Sequence, residues 1–114
     1  MFNWRDYFTL AKNLSKSNYE ASLRSSVSRA YYSAYCLAHN NAITLGFRPG
    51  KTAEEHERIV QFYSQNTSFP NLAQNLNRLR IRRNDCDYDN TVNGLAKIVK
   101  VSLLQCEVIL KQLP

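Results

Sequence analysis

This sequence predicts an all-α fold, an antiparallel up-and-down bundle of about five helices, and three observations carry that prediction. Apolar residues recur at three- and four-residue intervals along most of the chain, the spacing of helices with one buried face. Three Gly and three Pro in 114 residues are too few for a turn-rich sandwich or barrel. Turn-forming clusters at Ser15–Ser17, Gly46–Gly50, Asn66–Pro70 and Asp89–Gly94 divide the chain into helical pieces with short connections, which place neighbours antiparallel.

The first helix is expected from about Asn3 to Leu14, with Trp4, Tyr7, Phe8, Ala11 and Leu14 on one face. The second starts near Ser17 or Asn18, either of which can cap it, and continues to about Leu45. Leu23, Val27, Ala30, Tyr31, Ala34, Leu37 and Ala38 form its apolar stripe, and its length would be about 40 Å. Thr52 opens the third helix, followed by first-turn acids Glu54 and Glu55, with Ala53, His56, Ile59, Val60 and Tyr63 inward. The fourth runs from Asn71 to about Cys86 with Leu72, Leu76 and Leu79 inward, and the last from about Asn90 to Leu113. Val92, Leu95, Ile98, Val99, Ser102, Cys106 and Ile109 mark the inner face of this last helix, whose first turn Gly94 weakens.

Residues 1–114 fit a single domain without linker or repeat, large enough to hold a core without metal or disulfide staples. Cys36, Cys86 and Cys106 are odd in number and widely spaced, and His39 and His56 complete no zinc pattern with them. They read as reduced core or near-core thiols of a cytoplasmic protein. Met1-Phe-Asn-Trp-Arg-Asp6 lacks the apolar run of a signal peptide, and no stretch reaches the ~20 apolar residues that span a bilayer. Fifteen Lys and Arg against nine Asp and Glu give a net charge of +6, which favours a polyanionic partner or serves solubility.

Arg78, Arg80, Arg82 and Arg83 place four guanidinium groups within about two helical turns. Such groups match phosphate oxygens in pairs, so this stretch is either a phosphate-binding patch or a solvated face. Arg83 and Asp87, four apart, can pair along it. In the middle of the long helix, Arg29 sits among residues expected to be buried and calls for a carboxylate, for which Asp87 is the candidate. Tyr31 and Tyr35 either offer stacking faces for bases or pack in the core with hydroxyls at its edge. His56, among Glu54, Glu55 and Glu57, is either a proton-transfer group or a packing histidine. No Walker loop, GxGxxG, HExxH or Ser–His–Asp arrangement occurs, so neither a metal nor a cofactor is expected.

The pairing of Ser28-Arg-Ala-Tyr-Tyr32 with Arg83-Asn-Asp-Cys-Asp-Tyr88 resembles small stand-alone HEPN proteins (higher eukaryotes and prokaryotes nucleotide-binding). His56 matches the histidine that leads the intermediate helix, Cys86 stands for the usual alanine, and the resemblance spans roughly residues 5 to 112. It implies a helical bundle, commonly a homodimer with the Arg-bearing helix near the two-fold axis. It also implies a toxin-like ribonuclease working without metal, or a partner of a nucleotidyltransferase antitoxin. The ribonucleases of the family share an Arg followed by four to six residues and a His; after Arg83 and four intervening residues this chain has Tyr88. A phenol near pKa 10 exchanges protons at neutral pH far less readily than an imidazole near 6.5.

Two readings follow. In the first, Arg78, Arg80, Arg82 and Arg83 bind RNA or nucleotide, and any cleavage uses Arg83, Asp87 and Tyr88, supported by Arg29, Tyr31, Tyr32 and His56. In the second, Arg29, Arg83, Asp87 and Tyr88 are a structural network in a non-catalytic module that docks a nucleotidyltransferase. The resemblance further implies that such a partner adenylylates Tyr88.

Overall fold

A computed structural model describes residues 1–114 as five α-helices without a strand: α1 (Arg5–Leu14), α2 (Glu20–Thr44), α3 (Glu55–Ser64), α4 (Leu72–Tyr88) and α5 (Leu95–Gln112). The all-α bundle expected from the apolar spacing is the fold. It measures 42 × 25 × 24 Å, with α2 running along its long axis and touching all four other helices. No helix is long and apolar enough to cross a membrane.

Small side chains put α2 at the centre. Ala30, Ala34, Ala38 and Ala42 recur every four residues and are fully buried, with Ser26 and Ser33 beside them. Against them pack Ala11 of α1, Ile59 and Tyr63 of α3, Leu72, Leu76 and Leu79 of α4, and Cys106, Ile109 and Leu110 of α5. Val27, Cys86 and Val99 form a smaller cluster nearer the N-terminus of α2. Cys86 and Cys106 are buried and Cys36 half-buried, and burial pushes the thiols of Cys36 and Cys86 up to about 11 and that of Cys106 to about 12.

Side-chain contacts fix the helix directions. Tyr7 meets Arg29 and Ala11 meets Ser26, so α1 opposes α2. Arg24 reaches Asp89 while Tyr32 reaches Arg83, so α4 opposes α2. Gln112 bonds Pro70 and Arg82 bonds Gln105, so α5 opposes α4. The α2–α3 connection is the one that is not a simple hairpin. Phe47 packs on both His39 and Phe62, and Arg58 donates to the Arg48 carbonyl, so the segment after α2 doubles back along it. As a result α3 starts beside the middle of α2 and runs in the same sense: His56 lies by Tyr31, and Tyr63 by Ala38.

Several ends differ from the sequence expectation. Ser17 Oγ accepts from Tyr19 N at 3.0 Å, a local turn that holds Tyr19 extended and delays α2 to Glu20. Thr52 caps nothing; a turn through its carbonyl precedes α3, which begins at Glu55. Gly94 does not weaken the first turn of α5 but stands before it at φ +67, a left-handed conformation that glycine adopts without strain, and the helix begins at Leu95 instead of Asn90. α4 runs two residues beyond Cys86, to Tyr88.

The buried stripe yields a prediction. Ala34→Leu should overpack the contact between α2 and its neighbours and cost about 1–3 kcal/mol, whereas Ala96→Leu on the exposed side of α5 should stay within about 0.5 kcal/mol. Urea midpoints of the two variants check this, and equal midpoints would contradict the close packing at α2.

Candidate functional site

The four arginines of α4 do not form one patch. Arg78 and Arg82, four apart, face α5 and line a hollow with Ile81, Asp85 and Ile98, where Arg82 donates to Gln105. Arg80 and Arg83, three apart, face α2 and α3. Arg80 pairs with Glu57 at 3.2 Å.

Arg83 is the centre of the second face. Its Nη2 donates to the Tyr32 hydroxyl at 2.7 Å and its Nη1 to Asn84 at 2.9 Å. Its Nε lies 2.8 Å from Asp87 Oδ2, but the N–H is not aimed at the oxygen, so this is an ion pair without an aligned hydrogen bond. Ser28 Oγ donates to the same oxygen at 3.3 Å. The guanidinium also lies over three rings, 5.5 Å from Tyr31, 5.1 Å from Tyr32 and 5.8 Å from Tyr88. With Arg83 17% and Asp87 26% exposed in their side chains, the pair is largely covered but still reaches solvent.

Asp87 is therefore not the partner of Arg29. The Arg29 guanidinium lies between two rings instead, 4.7 Å from Tyr7 and 5.3 Å from Tyr32, and makes neither a hydrogen bond nor an ion pair within the chain. Rings take the place of the carboxylate expected for a mid-helix arginine, because the neighbouring α1 presents Tyr7 there.

Tyr31 and His56 lie beneath this surface. Tyr31 is buried, its hydroxyl 2.8 Å from His56 Nδ1, and burial, with the nearby Tyr35, raises its pKa. Tyr31 is thus a core side chain and offers no open face to a base; Tyr35, half-buried, stacks on His56 and on Tyr31. His56 is 5% exposed, and burial, reinforced by the Arg80 charge and opposed by Glu57, lowers its pKa to about 4. A neutral ring accepting from Tyr31 carries its proton on Nε2, which is buried and has no hydrogen-bond partner. Tyr88, by contrast, is 73% exposed at the end of α4.

One residue of this neighbourhood escapes sequence reasoning. Arg24 holds the C-terminus of α4: Nη1 donates to the Cys86 and Asp89 carbonyls at 3.0 and 2.5 Å, and Nη2 to Asn90 at 3.3 Å. Its spacing from Glu20, which it pairs with at 2.9 Å, suggests only a surface ion pair. Arg5 does the same for α5, donating to the Leu110 and Leu113 carbonyls. No three His, Cys, Asp or Glu side chains converge as a metal site.

The arrangement offers cations and ring faces at its surface and keeps its imidazole inside. It can bind an anion or a stacked base, whereas proton transfer at its surface would fall to a phenol and carboxylates, Tyr88, Asp87 and Glu57. Compared with known proteins, the chain matches no family model, no curated protein and no solved structure.

The buried His56 gives a pH prediction. Between its folded value of about 4 and its ordinary 6.5 the unfolded chain binds the extra proton, so stability is full above this window and falls as pH drops through it. The loss is on the order of 3 kcal/mol. Glu55 acts in the same direction at lower pH: burial disfavours its charge, but hydrogen bonds from His39, Gly50 N and Arg58 outweigh that and lower its pKa. Urea denaturation at about pH 7 and about pH 4.5 should show His56→Gln losing roughly 2 kcal/mol less than wild type. An equal loss in both proteins would mean that His56 is not held neutral.

Proposed function

We propose that this chain is an RNA- or nucleotide-binding module of HEPN type, a cytoplasmic, toxin-like component of a toxin–antitoxin or defence system that binds rather than cleaves. The observation that carries the reading is the Arg83 guanidinium, fixed by Tyr32, Asn84 and Asp87 beside the exposed ring of Tyr88. A guanidinium held in place loses little freedom on meeting phosphate, and an exposed ring gives a base a stacking face. These are residues of the two segments on which the resemblance rests. Binding is favoured over cleavage because His56 is buried and engaged, so no imidazole reaches the surface where a ribose hydroxyl would be deprotonated.

A second reading is a docking module for a nucleotidyltransferase, favoured by the Ser28–Asp87–Arg83–Tyr32 chain, which ties α2 to α4 as a structural network would. Exposure of Tyr88 suits adenylylation by that partner. A homodimer belongs to either reading.

Incubating purified protein with a mixed pool of single-stranded RNA, without metal, separates them. RNA should be retained, uncut, at low salt and released steeply as salt rises. Cleavage that Arg83→Ala abolishes would make the protein a ribonuclease that uses Tyr88 in place of the usual histidine. No retention at low salt would leave the docking module. In the same protein Asp87→Ala should cost about 1–2 kcal/mol by urea denaturation, below the toll of a fully buried pair, because Arg83 can turn to water.

A further inference from the structure

The Arg–Tyr face continues beyond Arg83. Tyr7 of α1, Arg29 of α2, Tyr32 of α2, Arg83 of α4 and Tyr88 of α4 alternate ring and cation across three helices, with neighbours 4.7, 5.3, 5.1 and 5.8 Å apart. The two cations in this row are not equivalent. Arg83 is matched in charge by Asp87 and gives one N–H of Nη2 to Tyr32 and one of Nη1 to Asn84, which leaves one N–H on each for a ligand. Arg29 is half-buried and meets no acid and no hydrogen-bond acceptor of the chain, so its donors are left facing solvent.

From this geometry we infer that Arg29 anchors one backbone phosphate of a single-stranded RNA, with Tyr7 and Tyr32 holding its guanidinium and the bases on either side stacking at the exposed aromatic ends of the row. This rests on the RNA-binding reading and assigns the anchor within it. Two rings lie against the guanidinium, at 4.7 and 5.3 Å, and no acceptor of the chain takes its N–H groups, so these donors remain for a ligand; a guanidinium meets phosphate oxygens in pairs. Tyr32 is itself fixed through the Arg83 bond, so the anchor is ordered before the ligand arrives. At one end of the row Tyr88 is 73% exposed. At the other, Tyr7 continues into an edge-to-face cluster with Trp4 and Phe2, at 5.4 and 5.1 Å, of which Phe2 is exposed. Bases of a duplex are already stacked on one another, so aromatic ends flanking a phosphate suit a single strand.

Fluorescence anisotropy with a short labelled oligouridine tests the assignment in wild type, Arg29→Gln, Arg29→Lys and Lys100→Gln. Arg29→Gln should bind roughly tenfold more weakly, with a salt dependence shallower by about 0.7 in log–log slope, as expected for one lost phosphate contact. Arg29→Lys should recover the slope without the full affinity, and Lys100→Gln, on the exposed side of α5, should resemble wild type. A folded Arg29→Gln protein that binds like wild type would overturn the anchor and leave the RNA-binding reading standing. Wild type that does not bind would overturn both. Should Arg29→Gln fail to fold, the Nε–H resonance of Arg29 in the wild-type protein decides: it should shift on titration with the oligouridine, and an unmoved resonance at saturation would overturn the anchor.

Discussion

Two helices can approach only as closely as the side chains between them allow, and α2 meets its neighbours through alanine and serine. Ala30, Ala34, Ala38 and Ala42 leave its backbone open to other elements as well as its methyl groups. The Tyr63 hydroxyl donates to the Ala38 carbonyl at 2.5 Å, and Cys106 Sγ reaches the Ala30 carbonyl at 3.2 Å. Ser26 Oγ in turn donates to the Ala11 carbonyl of α1 at 2.7 Å. Larger residues at these positions would push the other helices outward and break such contacts. The same closeness creates the candidate site, because Tyr7 and Arg83 reach Arg29 and Tyr32 only when α1 and α4 lie tight against α2.

The division between core and surface then decides the chemistry. Tyr31 and Tyr32 are adjacent on α2 and so point about 100° apart. The first turns inward to His56, and the second turns out to Arg83. His56 reaches its place because the segment after α2 doubles back and sets the first turn of α3 beside Tyr31. Its imidazole is thereby spent on packing and on one internal hydrogen bond. Arg80, close enough to disfavour its protonation, adds a second reason for it to stay neutral. Cations outside and a neutral ring inside make a surface suited to holding negative charge more than to moving protons.

The helical class, the number of helices and most of the inward residues are legible from spacing alone, because the apolar positions of α1, α2, α4 and α5 repeat at helical intervals. The starts of α2, α3 and α5 are less so. Ser17, Thr52 and Asn90 are sound capping residues by type, but local turns and the left-handed Gly94 move the true starts inward by several residues. In the site, the Arg83–Asp87 pair is legible from its four-residue spacing. The environment of Arg29 is not, because a sequence says that a mid-helix arginine needs a partner without saying which helix supplies it. Tyr7 looks like one more apolar position of α1.

A net charge of +6 also says little about where a ligand would feel it. Arg5 and Arg24 are turned onto helix carbonyls, where they offset the partial negative charge of two C-termini. Arg58 and Arg80 are paired with glutamates, Arg82 is bonded to Gln105, and Arg83 is matched by Asp87. The densest run of basic residues in the sequence is therefore largely satisfied by the protein itself. Arg29 stands outside that run, between two uncharged rings that hold it without neutralising it. Rings differ from carboxylates in this respect: they fix a cation in place and leave its charge and its donor edge for something else to meet.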